Sequence, residues 1–385
     1  MDDTKLNFII EKFFFNSEVL SINMIDSGLI NKTYIVEQVH NGEKSKFVLQ
    51  SLSKIFESQE IVNMNHKLIT DHITKKINTN YFPIKMWKAP NLIRCQSNNK
   101  FSFSIKSDFW RAMVFIEDAF SVDFLEDEIM SYQTGVGLAK FHLICSDLDC
   151  SKLEKNIKNF HNTKYYLDQY NIAIENYDFL KIEDDLNIRI NDLIYNISNH
   201  IGYVQSLLTS IKKESLDYNV IHGDPKLSNF LFNNQDKCVV SMIDLDTVSA
   251  GYLLTDLADC IRSICNLAGG DPKDKADVFF DIKSFKSFLK GYFSINSNKN
   301  NNSYIFILEF IYLIIFELTI RFLTDFLQSN IYFKIKYQTH NLYRAEIQYR
   351  LLSSFLTQIP VLSNELKKMG VSSSSTFVSD VQKFV

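Results

Sequence analysis

Asp224, Lys226 and Asn229 stand two and then three residues apart in the stretch HGDPKLSN, residues 222–229. Asp244 follows fifteen positions after Asn229, just past the apolar run VVSMI, residues 239–243. These side chains cover what phosphoryl transfer asks of a protein. It needs a carboxylate to orient and deprotonate the attacking hydroxyl, oxygen ligands for magnesium, and a cation to offset charge on the moving group. Asp224 is the candidate base and Lys226 the candidate cation. Magnesium takes oxygen ligands and keeps several waters, so the Asn229 amide oxygen and the Asp244 carboxylate suffice from the protein. Asp246, two positions on, is a candidate contact to the acceptor or to a second metal, with turn capping as the equal alternative. His222 is expected to brace the loop by hydrogen bonds rather than to carry protons.

Such a loop needs rigid flanks. VVSMI reads as a short buried strand that would return Asp244 to the neighbourhood of Asn229. Upstream, TYIVEQV and SKFVLQSL alternate in the manner of strands, and the Asn41-Gly42 pair between them signals a hairpin. A helix is expected from about Ser58 to Lys75, and FWRAMVFIE, residues 109–117, reads as a further strand ending at Glu117. From about Ser121 the apolar spacing turns helical and, apart from residues 220–247, stays so to about residue 357. The reading is an α+β chain of two lobes. A small β-rich N-lobe, a sheet plus one helix, covers 1–118, and a larger, mostly helical C-lobe covers 119–385. A boundary of that kind is where small-molecule sites tend to lie.

Composition narrows the partners. A 46% hydrophobic share with only 5 Pro in 385 residues argues for a folded chain with a sizeable core. A net charge of −4 offers no basic field for nucleic acid. The 6 cysteines show neither C-x-x-C spacing nor zinc-type pairing with His, so a reducing cytoplasm is the expected location. The apolar stretch at 304–323 is interrupted by Glu309, Glu317 and Arg321, and reads as a buried helix rather than a membrane span.

Asp-x-Lys-x-x-Asn followed by a strand and an Asp resembles the protein-kinase-like superfamily, and HGD with IDLD resembles its aminoglycoside phosphotransferase branch. The resemblance implies a bilobal protein-kinase-like fold using ATP and magnesium. It also implies that Asp256 anchors the catalytic-loop backbone. Gly28, Asn31, Gln50 and Glu117 would lie on the nucleotide side, Glu117 through its backbone groups. Only residues 245–255 separate Asp244 from Asp256, too few for an activation loop and an A-P-E element, so a small acceptor is expected. GLINKTYIV, FVLQSL, FHNT (160–163), IDLDTVSAGYLLTDLADCIR and RFLTDFLQSNIYFKIKYQTHNLYRA are similar, in order, to segments of N-acetylhexosamine 1-kinases. That implies phosphorylation of the anomeric hydroxyl of N-acetylglucosamine or N-acetylgalactosamine, with Arg321 and Tyr332 contacting the sugar. His161, in FHNT, is weighed between reaching the sugar and starting a helix. Two positions depart from the wider kinase pattern. Gln50 stands where the third strand usually carries Lys, and Leu29 stands beside Gly28 where a His is expected.

The expectation is a monomeric ATP- and magnesium-dependent sugar kinase making a sugar 1-phosphate, with neither nucleic acid nor a membrane as partner. Two alternatives stay open at this level. One is a kinase of another small alcohol, of the choline, homoserine or aminoglycoside type. The other is a catalytically inactive kinase fold that senses nucleotide or sugar.

Overall fold

The computed structural model describes residues 3–25, 30–79, 86–179, 183–297 and 302–384, so Gly28 and Leu29 lie outside the described residues. The chain opens with helix α1 (Asp3–Phe13), strands β1 (Glu18–Ile25), β2 (Lys32–His40) and β3 (Glu43–Leu52), and helix α2 (Gln59–Ile77). Strands β4 (Leu92–Ile93), β5 (Phe103–Ile105), β6 (Asp108–Val114) and β7 (Ala119–Phe120) follow. Helices α3 (Glu128–Cys145), α4 (Thr163–Asn176) and α5 (Asp184–Ile211) lead to strands β8 (Tyr218–Ile221), β9 (Phe230–Asn233), β10 (Val239–Met242) and β11 (Ser249–Tyr252). The rest is helical: α6 (Leu253–Ile264), α7 (Ile282–Ile295), α8 (Ile307–Leu327), α9 (His340–Lys368) and α10 (Ser375–Asp380). This is the α+β class expected from the sequence. The chain divides into two compact units. One comprises Met1–Phe120, Ile144–Lys158 and Leu231–Ala250, and the other Ser121–Leu143, Asn159–Phe230 and Gly251–Val385.

In the first unit β1, β2, β3, β6 and β4 form an antiparallel sheet in that order, with β5 added to β6. The β2–β3 turn is the expected hairpin: Asn41 and Gly42 have φ of 52° and 80°, the left-handed pair that a two-residue turn requires and that Asn-Gly tolerates. Ser58 caps α2 by accepting from the Ile61 amide at 3.3 Å. The sequence reading places one helix in this region, and the structure adds α1. Its stripe of Leu6, Ile9, Ile10 and Phe13 is short, and becomes a core only where Tyr34, Val36, Phe47, Leu49 and Trp110 of the sheet complete it. Strand β6 lies between β3 and β4, with Arg111 directly opposite Gln50.

In the second unit α8 is buried along most of its length and packs against α4, α6 and α9. Among the described residues no helix is long and apolar enough to cross a membrane. Helices α3 and α7 meet through glycines. A Cβ on Gly135 would stand 2.1 Å from the Phe288 carbonyl oxygen, and one on Gly291 2.0 Å from that of Tyr132. No side chain fits at either place, so the helices approach backbone to backbone, bringing His142 of α3 to Tyr292 of α7. Helix α9 runs through Pro360 to Lys368, beyond the point near residue 357 where the helical pattern is expected to stop. Its buried face, Ile359, Leu362 and Leu366, outweighs the one N–H that proline removes.

Candidate active site

The loop after β8 is held by one buried carboxylate in the second unit. Asp256, in the first turn of α6, accepts the backbone N–H groups of His222 at 2.6 Å and Gly223 at 2.8 Å, and faces His142 Nε2 at 3.0 Å. Burial alone would raise the Asp256 carboxyl. Hydrogen bonds and charge from His142, with the loop donors, outweigh it and hold it below the ordinary carboxylate value. Asp256 therefore anchors the loop backbone, as the resemblance implies. His142, whose Nδ1 meets the Tyr292 hydroxyl at 3.0 Å, completes the anchor and was missed in the sequence. A His inside an apolar helix has no local pattern that marks it. His222 braces the loop: its Nδ1 accepts the Asp224 amide at 3.3 Å, and its ring sits edge-on to Phe141.

Anchored in this way, Asp224 leaves 32% of its side chain exposed, enough to meet a ligand. Lys226 Nζ donates to its Oδ2 at 2.8 Å. Burial pushes the Asp224 carboxyl up, but the charge and hydrogen bond of Lys226, together with His222 and Arg262, outweigh it and hold Asp224 below the ordinary carboxylate value, ionised at neutral pH. Asn229 closes a short 3₁₀ turn, Leu227–Asn229, and donates from Nδ2 to the Asp224 carbonyl at 2.7 Å. That contact fixes the amide orientation and leaves Oδ1 as its acceptor.

Arg321 on α8 belongs to the same unit. Its guanidinium carbon lies 4.7 Å from the ring centre of Tyr166, 5.7 Å from Tyr332 and 5.6 Å from both Phe160 and Phe333. Glu317 is 3.9 Å away, and the Asp224 charge is among those that favour the guanidinium. Glu317 also accepts Thr163 Oγ1 at 2.7 Å and faces His161 Nδ1 at 3.5 Å. His161 donates from Nε2 to the Gly223 carbonyl at 2.7 Å, so it braces the catalytic loop. Helix α4 is capped by Asn162, which accepts the Tyr165 amide, and not by His161. Burial disfavours charge on His161 and Glu317, yet each holds the other charged: His161 lies above its ordinary value and Glu317 below. Tyr332 is positioned from below by Asp325, which accepts the Tyr332 amide at 2.7 Å, the Phe333 amide at 3.0 Å and Asn341 Nδ2 at 2.8 Å.

The remaining candidates lie in the first unit. Asp244 sits at φ 61°, ψ 52°, a left-handed conformation uncommon for a residue with a side chain. Asp246 is 2% exposed. Its Oδ1 accepts Arg111 Nη2 and its Oδ2 accepts Asn31 Nδ2 at 2.6 Å, so both oxygens are committed within the unit. Gln50 accepts from Arg111 Nε at 2.9 Å and Nη2 at 2.5 Å, and donates to Thr33. Asn31 also accepts the Ser53 amide at 2.9 Å. The exposed Glu117 lies past the end of β6, and its carbonyl accepts Lys88 Nζ at 2.8 Å. Arg111 was missed: in FWRAMVFIE a single cation gives no hint that it turns inward.

Residues 125–276, which hold Asp224, Asn229, Asp244 and Asp256, match the model of the phosphotransferase enzyme family, APH. Solved structures share its fold over most of its length. A microcompartment-associated aminopropanol kinase aligns with a TM-score of 0.59 at 12% identity, over 94% of this chain and 98% of its own. Spectinomycin phosphotransferase, in complex with ADP and spectinomycin, aligns at 0.57 and 16%, over 91% and 96%. Choline kinase from Cryptosporidium parvum aligns at 0.52 and 14%, over 96% and 97%. The fold is thus the protein-kinase-like one of the aminoglycoside phosphotransferases.

Two candidate magnesium ligands, one in each unit, carry oxygen donors of the kind that ion takes. Asn229 offers an amide oxygen whose orientation its own Nδ2 contact fixes, and Asp244 offers a carboxylate on a turn locked two residues later by Asp246. Each by itself is a hard oxygen donor.

Proposed function

We propose that this phosphotransferase-family chain is an ATP- and magnesium-dependent kinase of an N-acetylhexosamine, making the sugar 1-phosphate. The observation that carries the reading is the state of Arg321. Its guanidinium is ringed by four aromatic side chains, makes no hydrogen bond to any described residue, and feels the charge of Asp224. Aminopropanol and choline, the substrates in the names of two neighbours, are cations. A cationic acceptor beside Asp224 would face Arg321, and the two like charges would repel. Aromatic cages do bind ammonium groups, but here the chain's own guanidinium fills the cage. Beyond the ion pair with Glu317 at 3.9 Å, a neutral polyol supplies oxygen acceptors at hydrogen-bond distance, and a pyranose face packs against the rings.

In this reading Asp224 takes the proton of the anomeric hydroxyl, the most acidic on the ring, as that oxygen bonds to the γ-phosphorus and the bond to ADP breaks. Lys226 keeps Asp224 ionised until then. Magnesium, when bound, offsets phosphate charge, and Asn229 and Asp244 are the residues that would hold it. The nucleotide is assigned to the first unit, with Gly28 and Glu117 offering backbone groups and Asn31 and Gln50 shaping the sheet beneath. Asp246 is assigned to positioning rather than to the sugar, because its carboxylate has no exposed face. The ADP complex of spectinomycin phosphotransferase supports ATP as donor.

Arg321→Ala tests the reading. Loss of a charged hydrogen bond should lower kcat/KM for the sugar about ten- to hundredfold and leave KM for ATP within about twofold. Arg321→Lys should not restore it, because a point charge does not replace a planar fork. Equal damage to sugar and ATP kinetics would contradict the assignment.

A further inference from the structure

A typical protein kinase carries a Lys on its third strand, paired with a Glu from the neighbouring helix. That pair is not formed here: the strand has no Lys at the matching position, and the one Glu of α2, Glu60, is exposed in its first turn beside Ser58. The strand offers Gln50, and α2 offers His66, whose ring burial, helped by the charge of Arg111, pushes down to about 4, leaving it neutral. The cation of this region stands one strand over. Arg111 lies opposite Gln50 in the β3–β6 register, with its side chain 1% exposed. It donates Nε and Nη2 to Gln50 Oε1, and Nη2 also to Asp246, while Nη1 has no hydrogen-bond partner among the described residues. An arginine is costly to bury, and a strand interior built of Trp110 and Ala112 has no need of one for packing.

We infer that Arg111 is a positioning residue that, through Asp246, holds Asp244 in its magnesium-binding conformation. The inference rests on the reading of Asp244 as a metal ligand given above. Asp246 is gripped from three sides: by Arg111 of β6, by Asn31 at the start of β2, and at its carbonyl by Asn156 Nδ2. Helix α2 packs on the same turn, Leu245–Thr247. Two residues earlier Asp244 holds φ 61°, a strained state for a non-glycine residue that persists only where neighbours over-determine it. Of the groups that grip Asp246, Arg111 alone brings a charge. Its removal leaves a buried carboxylate without a counter-ion, and the cheapest relief is to move the turn and Asp244 with it. The ion pair thus replaces the strand Lys and helix Glu by a cation from the next strand and an acid from the metal-binding turn itself.

The test is calorimetric binding of ATP with and without magnesium, with thermal unfolding as a second readout. Arg111→Met combined with Asp246→Asn removes both charges at similar volume, so the fold is expected to keep its melting point within a few degrees. The magnesium-dependent gain in ATP affinity should nevertheless fall about tenfold or more. Arg111→Lys, which keeps the charge in place, covers the case in which the double variant does not fold, and should lose part of that gain. A wild-type gain in either folded variant would overturn the inference and leave the proposed function standing. An unaltered protein that binds no ATP in magnesium would overturn the function, and the inference with it.

Discussion

Asp224 is held ionised by Lys226 and keeps a third of its side chain exposed, so its loss should fall on chemistry and not on nucleotide affinity. Asp224→Asn is expected to lower kcat about 10²–10⁴-fold. The ATP dissociation constant, measured by calorimetry, should change by less than about threefold. A kcat above about a tenth of the unaltered value would show that the acceptor proton leaves by another route. The residues of this loop were legible because their chemistry is packed into eight consecutive positions. Asp256 was legible through its motif as well. Arg111 and His142 were not, since each gains its meaning from a partner more than a hundred positions away, Asp246 and Asp256 respectively. Asp246 was legible as a carboxylate near the site but not as a buried ion-pair partner, because burial on that turn is set by β6 and the start of β2.

Among the elements, α8 and the segment after it carry the residues proposed above for the acceptor. Asp325, one turn beyond Arg321, fixes the aromatic residues through the amides of Tyr332 and Phe333. Asp325→Ala would leave these donors and Asn341 without their acceptor, and the Tyr332 and Phe333 rings would no longer be held against Arg321. The sugar KM should rise about tenfold, and stability to urea should fall by about 1–3 kcal/mol. A destabilised variant with an unchanged sugar KM would show that the rings are held by other contacts. The C-terminal motif seen in the sequence proves to have two parts. Arg321 and Tyr332, the two residues proposed for the sugar, lie 5.7 Å apart from guanidinium carbon to ring centre, whereas His340 and Arg344 converge on Asp271 and hold the connecting segment in place. Spacing alone does not separate such roles, because both sets are polar residues in one run. Helices with strong caps or long apolar faces, such as α2 and α8, were legible. Helix α1 was not, because its short stripe is completed only by the sheet.

At the scale of the whole molecule, the α+β class and the kinase-like fold follow from a strand-rich start and a helical remainder. The make-up of the two units does not follow, since segments 144–158 and 231–250 join the N-terminal residues through contacts that no composition shift marks. The turn carrying Asp244 thereby falls in one unit, and the loop carrying Asp224 and Asn229 in the other. The central claim is that this chain transfers phosphate to a neutral sugar at its anomeric oxygen. The direct measurement is phosphorus NMR of reactions containing ATP, magnesium and one acceptor each: N-acetylglucosamine, N-acetylgalactosamine, choline, ethanolamine, aminopropanol or spectinomycin. The account predicts a new resonance coupled to the anomeric proton with an N-acetylhexosamine, and none with the cationic alcohols. Phosphate at C6 of the sugar, or turnover confined to a cationic acceptor, would contradict it.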